Sequence, residues 1–221
     1  MDAEATKKAV DQLSGLTTAA VSDALDKLGR AGAVPGIIPF DPSFRVCGPA
    51  YTGQYEPVDE QGGTVGDFID DVDPGSVVVL SNDGRLDCTI WGDILTSVAS
   101  RRGISGTVLH GVCRDVAASL EFRYPVLARG RNMQTGKDRV RLSATQVPVT
   151  LGSVTVHPGD LVLGDADGVV VIAAGEAEEV LAVAIAIEDA ETAIREAAAT
   201  GERLDEVRRR LGYHQLQTAA R

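Results

Sequence analysis

A chain of 221 residues with 44% hydrophobic content has enough apolar material to close a sizeable core, and residues 1–221 are read as a single domain. A formal charge of −11 and a pI near 4.7 repel phosphate backbones, and no basic run with interleaved aromatics offsets this, so no nucleic-acid partner is expected. No apolar run reaches the roughly 18 to 20 residues of a bilayer crossing and residues 1–10 lack a signal-like pattern, so no membrane partner and a cytoplasmic location are expected.

Two helices are predicted first, over about 3–13 and 17–29. In the second, Ala19, Val21, Ala24, Leu25 and Leu28 recur at helical spacing, Thr17 or Thr18 serves as N-cap, and Gly29 stands where a glycine stop belongs. Ser22 and Asp23 lie in this helix and read as polar residues of its solvated face, with a place at the border of a site as the alternative. Residues 35–42 read as a loop, and the alternation over 45–55 as a strand interrupted by a bend. Asp59, Glu60, Asp67, Asp70, Asp71 and Asp73 do not follow a calcium-loop pattern and read as acidic surface, with Gly62-Gly63 as a helix approach. The apolar run 76–81 fits a strand covered on both faces, and Asn82-Asp83-Gly84 a turn.

Residues 90–102 carry a helical spacing in Ile94, Leu95, Val98 and Ala99. A short strand over 107–109 and a helix over 115–123 follow. Strand, helix, strand, helix with short connections predicts an α/β fold. Cys47, Cys88 and Cys113 show no CxxC spacing and read as three buried free thiols. From residue 126 to 173 the texture changes to short β-rich runs, with Asp165, Asp167 and Gly168 as turn formers between two strands. A long helix over 176–200 closes the chain, stopped by Gly201, with a short helix over 206–211 behind it. Its apolar stripe is Val180, Val183, Ala184, Ile187 and Ile194. Glu191 falls on that stripe and needs a partner if buried, whereas Glu188 lies off it and reads as solvated.

The chemistry concentrates in residues 91–115. A helix opening at Gly92 leaves the backbone amides of Asp93, Ile94 and Leu95 as an anion-binding end, and glycine lets a ligand approach closely. Arg114 supplies a planar fork for a keto-acid oxygen or a developing enolate. Asp115 is a hard oxygen ligand of the kind Mg²⁺ takes, and Asp93 can hold one of the cation's waters. A surface ion pair between Arg114 and Asp115 is the alternative that these residues alone leave open.

Asp93, twenty residues, then Arg114-Asp115 resembles the D-x20-R-D core of the RraA-like family, which contains the regulator of ribonuclease activity A and the 4-hydroxy-4-methyl-2-oxoglutarate/4-carboxy-4-hydroxy-2-oxoadipate aldolases. Residues 18–29, 106–115 and the PGD and GDxDGV hairpin over 158–171 also resemble it. The resemblance implies a swivelling β/β/α (phosphohistidine-domain-like) fold with N-terminal helices and a long C-terminal helix, assembled as a homotrimer or a homohexamer (dimer of trimers). It further implies a class II, divalent-metal-dependent aldolase that cleaves a small-molecule 2-oxo acid to pyruvate, with oxaloacetate decarboxylase side activity. Asp115 would then bind Mg²⁺ (or Mn²⁺) directly and Asp93 through water. Arg114 would hold the pyruvyl group, with Gly92 and the amides of Ile94 and Leu95 at the substrate carboxylate. Glu191, or alternatively Glu188, would reach the metal from a neighbouring subunit, so a lone chain would lack activity. No side chain near the motif is an obvious base, which leaves a metal-held water. Two positions depart from the family pattern: Thr89 stands where a small alanine is common and reads as a packing change, and His110, where an acidic residue is common, points into or behind the pocket. His157 and His214 read as surface residues. The family also implies a competing function, a non-catalytic protein-binding regulator of ribonuclease E. A methyltransferase finds no support, for no glycine-rich nucleotide loop follows the first strand.

Overall fold

The computed structural model describes residues 1–59 and 64–213. Glu60, Gly62, Gly63 and His214 lie outside the described residues. Helices α1 (Ala3–Ser14) and α2 (Thr18–Lys27) open the chain, each capped as its sequence directs. Thr17 Oγ1 accepts from Ala20 N–H, and Gly29, at φ +67°, ends α2 by letting Arg30 N–H reach Leu25 O.

Two short strands, β1 (Ala33–Val34) and β2 (Ile38–Pro39), precede β3 (Val46–Pro57). β3 is unbroken as a strand; the irregularity within it is a register shift between Gln54 and Tyr55 against residues 140–145, and at Pro49 the strand changes partners. Residues 46–49 pair antiparallel with β11 (Leu161–Asp165), and residues 50–54 pair parallel with β4 (Val77–Ser81). Gly48 makes the change possible: a Cβ there would meet Gly75 O at 2.2 Å. From β4 the sheet continues in parallel through β6 (Gly106–Cys113) and β7 (Val126–Arg131). β5 (Thr89–Trp91) adds to the far end of β6, so residues 90 and 91 are strand and not the first turn of a helix. Helices α3 (Asp93–Arg102) and α4 (Val116–Glu121) connect these strands. β6 runs four residues beyond the predicted strand, to the edge of the motif. β8 (Val140–Thr145) pairs with the second half of β3, β9 (Val149–Leu151) and β10 (Val154–Val156) form a hairpin, and β11 pairs with β12 (Gly168–Ile172). The long α5 (Ala177–Ala199) and the short α6 (Leu204–Arg210) follow.

The alternation along β4 explains its wholly apolar sequence. Val78 and Leu80 enter the core beneath α3 and α4, with Ile90, Trp91, Leu109 and Tyr124. Val77 and Val79 enter a second core with Val108, Leu127, Leu151 and Val171. A third core lies between β11–β12 and the helices α1, α2 and α5, where Leu13, Val21, Leu163 and Ile187 are buried. The predicted stripe of α5 is the face that enters it: Val180, Ala184 and Ile187 are fully buried and Val183 partly. Cys88 and Cys113 are buried and Cys47, against expectation, is half-buried; all three are free thiols. No described helix is long and apolar enough to cross a membrane.

Candidate active site

The parallel strands aim their C-terminal ends at one edge, where open α/β sheets place their sites. β5 and β6 end side by side there. Trp91 fixes the end of β5: its ring is buried, stacks on Tyr124 at 6.1 Å between centroids, and donates from Nε1 to Thr96 Oγ1 at 2.9 Å. Thr89, also buried, accepts from Trp91 N–H at 3.2 Å, and its Oγ1 lies 2.7 Å from Trp91 O. Its hydroxyl is therefore taken up by the backbone, in keeping with a packing role.

Gly92 caps α3 in an extended conformation. Arg114 N–H donates to Trp91 O at 3.1 Å, which ties the two strand ends together. Arg114 Nε then lies 3.2 Å from Asp115 Oδ2, and the same oxygen accepts from Asp93 N–H at 3.3 Å. A Cβ on residue 92 would lie 2.8 Å from Asp115 Oδ2 and 3.4 Å from Arg114 Nε, so only glycine leaves the space these groups occupy. Asp115 itself sits at φ +56°, ψ +39°, a left-handed conformation that a non-glycine residue adopts at some cost. Its side chain makes no capping bond to α4, which keeps the carboxylate turned toward Asp93 and Arg114.

Gly92, Asp93, Arg114 and Asp115 are thus brought together. Ile94 and Leu95 line a cleft of about 270 Å³ with Gly92, Asp93, Arg114, Asp67 and Gly136, whereas Asp115 lines its neighbour. The helix end differs from expectation in one respect: Ile94 N–H is not free but donates to Asp93 Oδ1 at 2.8 Å, the place a ligand carboxylate would take. Leu95 N–H has no acceptor among the described residues. A second cleft of about 340 Å³ lies on the other side of Arg114 and Asp115, walled by Val116, Arg131, Asn132 and Met133. Asp67 and Arg131 were missed as cleft residues by the sequence reading. Asp67 was hidden in an acidic run, and Arg131 comes close only through the register of β6 and β7.

The two carboxylates offer only oxygen donors, which suits Mg²⁺ or Mn²⁺ completed by waters. Among the described residues no three His, Cys, Asp or Glu side chains gather as a metal-binding group. Cys113, next to Arg114, is no thiolate: burial pushes its thiol up to about 12.

Glu191 and Glu188 are not at this edge. They stand on α5, which packs against α1 and α2, and both are held within the chain by Arg195, at 3.5 Å and 2.7 Å. Glu188 is not solvated, as its position off the stripe suggested. Its side chain is only 23% exposed, clasped by Arg195 and 3.5 Å from Thr17 Oγ1. His110 lies behind the pocket, on the opposite face of the sheet, where Gly152 N–H donates to its Nε2 at 3.3 Å. His157 is exposed, 3.5 Å from Asp160.

Comparison with known proteins bears on the family and the fold. The chain is 40% identical over 209 residues to protein DlpA of Legionella pneumophila, covering 93% of this chain but 34% of DlpA, so it spans about a third of that relative's length. It is 36% identical over 174 residues to a Halalkalibacterium halodurans protein provisionally named 4-hydroxy-4-methyl-2-oxoglutarate aldolase, covering 78% of this chain and 80% of that one. Among solved structures, an uncharacterized protein from Pseudomonas syringae pv. tomato superposes with a TM-score of 0.86 at 44% identity, over 91% of this chain and 97% of that one. Streptomyces coelicolor RraAS2, described as an unusual member of the RNase ES inhibitor RraA protein family, superposes with a TM-score of 0.78 at 30% identity, over 86% and 97%. The RraA-like family model, described as Aldolase/RraA, matches residues 18–171, a span that holds the whole constellation from Gly92 to Asp115, and the chain belongs to that family.

Proposed function

We propose that the chain is a divalent-cation-dependent carbon–carbon lyase that cleaves a 4-hydroxy-2-oxo acid of the 4-hydroxy-4-methyl-2-oxoglutarate type to pyruvate and a second carbonyl compound, with decarboxylation of oxaloacetate as a side activity. The observation that carries the reading is the convergence of Arg114 and Asp115 on the open end of α3, in a space that exists because residue 92 has no side chain. The provisional name of the Halalkalibacterium relative supports it.

Asp115, with Asp93 through water, would hold a Mg²⁺ or Mn²⁺ ion that supplies Lewis-acid polarisation of the 2-keto group. The substrate carboxylate binds at the Leu95 amide and takes the place of the Asp93 carboxylate at Ile94 N–H, after which Asp93 would be available to hold a water of the cation. The guanidinium of Arg114 donates to the keto oxygen, and its hydrogen bonds strengthen as negative charge develops there. The proton of the C4 hydroxyl passes to water in the cleft, the C3–C4 pair moves into the pyruvate enolate, and C3 is then protonated. In oxaloacetate the same enolate forms by loss of CO₂.

Pyruvate release from 4-hydroxy-4-methyl-2-oxoglutarate and from oxaloacetate, with Mg²⁺ or Mn²⁺ and with EDTA, tests the reading on wild type and Asp115→Ala. Activity is expected only with the metal and only in the wild type; metal-independent turnover, or full activity in the variant, would sink it. The likeness to RraAS2 favours a second reading, a protein-binding regulator of ribonuclease E. If no keto acid is cleaved, inhibition of ribonuclease E by the purified chain is the outcome that reading requires.

A further inference from the structure

The second cleft places Arg131 beside the motif. Arg131 pairs in register with Cys113 across β6 and β7, one residue before Arg114, and adjacent strands lie about 4.8 Å apart. The segment after it is fixed: Asn132 N–H donates to Cys113 O at 3.0 Å, Asn132 Nδ2 to Leu86 O at 2.8 Å, and Gln134 N–H to Asn132 Oδ1 at 2.9 Å. The guanidinium is also oriented, with Cζ 5.5 Å from the centroid of Phe40. An arginine stacked on an aromatic face keeps its edge N–H groups free, and that edge matches a carboxylate bidentately.

Among the described residues no hydrogen bond or ion pair uses that edge. Arg30, Arg102, Arg141 and Arg195 are each held by carboxylates, whereas Arg131 has none among the described residues. Arg114 and Arg131 therefore line a cleft whose single acidic residue, among the described residues, is Asp115. The excess is positive and local, on a chain whose net charge is −11.

We propose that Arg131 is a specificity-determining residue that binds a second carboxylate at the far end of the ligand, so that the site selects 2-oxo dicarboxylates over 2-oxo monocarboxylates. Placement of the 2-oxo acid end at Arg114 and α3 rests on the lyase reading above. Phe40 is the positioning residue that holds the fork in plane.

Calorimetric titration of the full chain with Mg²⁺ present tests this without turnover, using 2-oxoglutarate and 2-oxopentanoate, which share a chain length and differ in the terminal carboxylate. Wild type is expected to bind 2-oxoglutarate about tenfold more tightly or better, the contribution of one charge-assisted bidentate pair. Arg131→Leu should abolish that preference and leave 2-oxopentanoate binding and the unfolding midpoint unchanged. Arg131→Lys should keep part of it, and Phe40→Leu should reduce it. Absence of a preference in the wild type, its survival in Arg131→Leu, or equal weakening of both ligands overturns the proposal. Failure of the lyase reading would appear separately, as absence of pyruvate release from a chain that still discriminates the two acids.

Discussion

Asp115 and Gly92 show how the site depends on backbone conformations that their side chains must tolerate. Asp115 holds a left-handed conformation at φ +56°, one that glycine adopts freely and alanine does not. Asp115→Gly should therefore be more stable than Asp115→Ala by about 1 kcal/mol, with neither variant cleaving substrate. Urea unfolding of the two proteins measures the difference, and equal stability would show that the strain at this residue is not real. At Gly92 the backbone is extended, φ −152°, so alanine meets no conformational penalty. The added methyl instead meets the Asp115 carboxylate at 2.8 Å, the mobile end of a side chain. Gly92→Ala is expected to change stability by about 0.5 kcal/mol or less while lowering kcat/KM for pyruvate release about 100-fold, because a carboxylate moved by an ångström no longer serves the site. A loss of stability with unchanged activity would place the glycine in folding alone.

At the scale of elements, the turn between β11 and β12 does more than its Asp165-Ala166-Asp167-Gly168 composition announces. Asp165 accepts from Asp167 N–H, as a turn former does, and also from Thr18 N–H at 2.9 Å and Thr18 Oγ1 at 2.6 Å, so the hairpin is tied to the first turn of α2. Burial opposes the charge on Asp165, but these hydrogen bonds together with Arg45 outweigh it and hold the carboxyl below its usual 3.8. A carboxyl depressed in the fold contributes stability above pH 3.8 that is lost as the pH falls through its folded value. Asp165→Ala should cost about 1–3 kcal/mol at neutral pH and less at acid pH, read from unfolding curves across that range. His110 acts in a higher window. Burial, and then Arg129, lower it from 6.5, so the unfolded chain takes up a proton first as the pH falls. Its share of stability declines below about pH 6.5, and His110→Gln should remove that decline.

The motif itself was legible because strand end, helix start and the Arg-Asp pair lie within one local stretch, and the apolar stripe of α5 was legible because it follows a single period. The partner change along β3 was not, since periodicity carries no information on which strand lies alongside. The clasp of Arg195 on Glu188 was not either. A stripe counts only apolar positions, whereas Arg195 lies seven residues beyond Glu188, two turns along the same helix.

At the scale of the whole molecule, the motif and the α5 glutamates stand on different layers. α3 and α4 cover one face of the parallel strands, and α5 packs against α1 and α2 over β11 and β12. If Glu191 serves the proposed metal, it does so in another copy of the chain, and it must first leave Arg195. A closed ring of three chains would offer each motif one neighbouring α5. Asp115→Ala and Glu191→Ala, each inactive alone, should then complement when unfolded and refolded together. A site is whole where a motif from the Glu191→Ala chain meets an α5 from the Asp115→Ala chain, which random mixing gives in about a quarter of sites. Recovery of about a quarter of wild-type activity would establish the shared site, and the same mixture with Glu188→Ala would tell the two glutamates apart. No recovery from either pair, with both variants assembling as the wild type does, would confine the reaction to the groups that one chain brings together around Gly92.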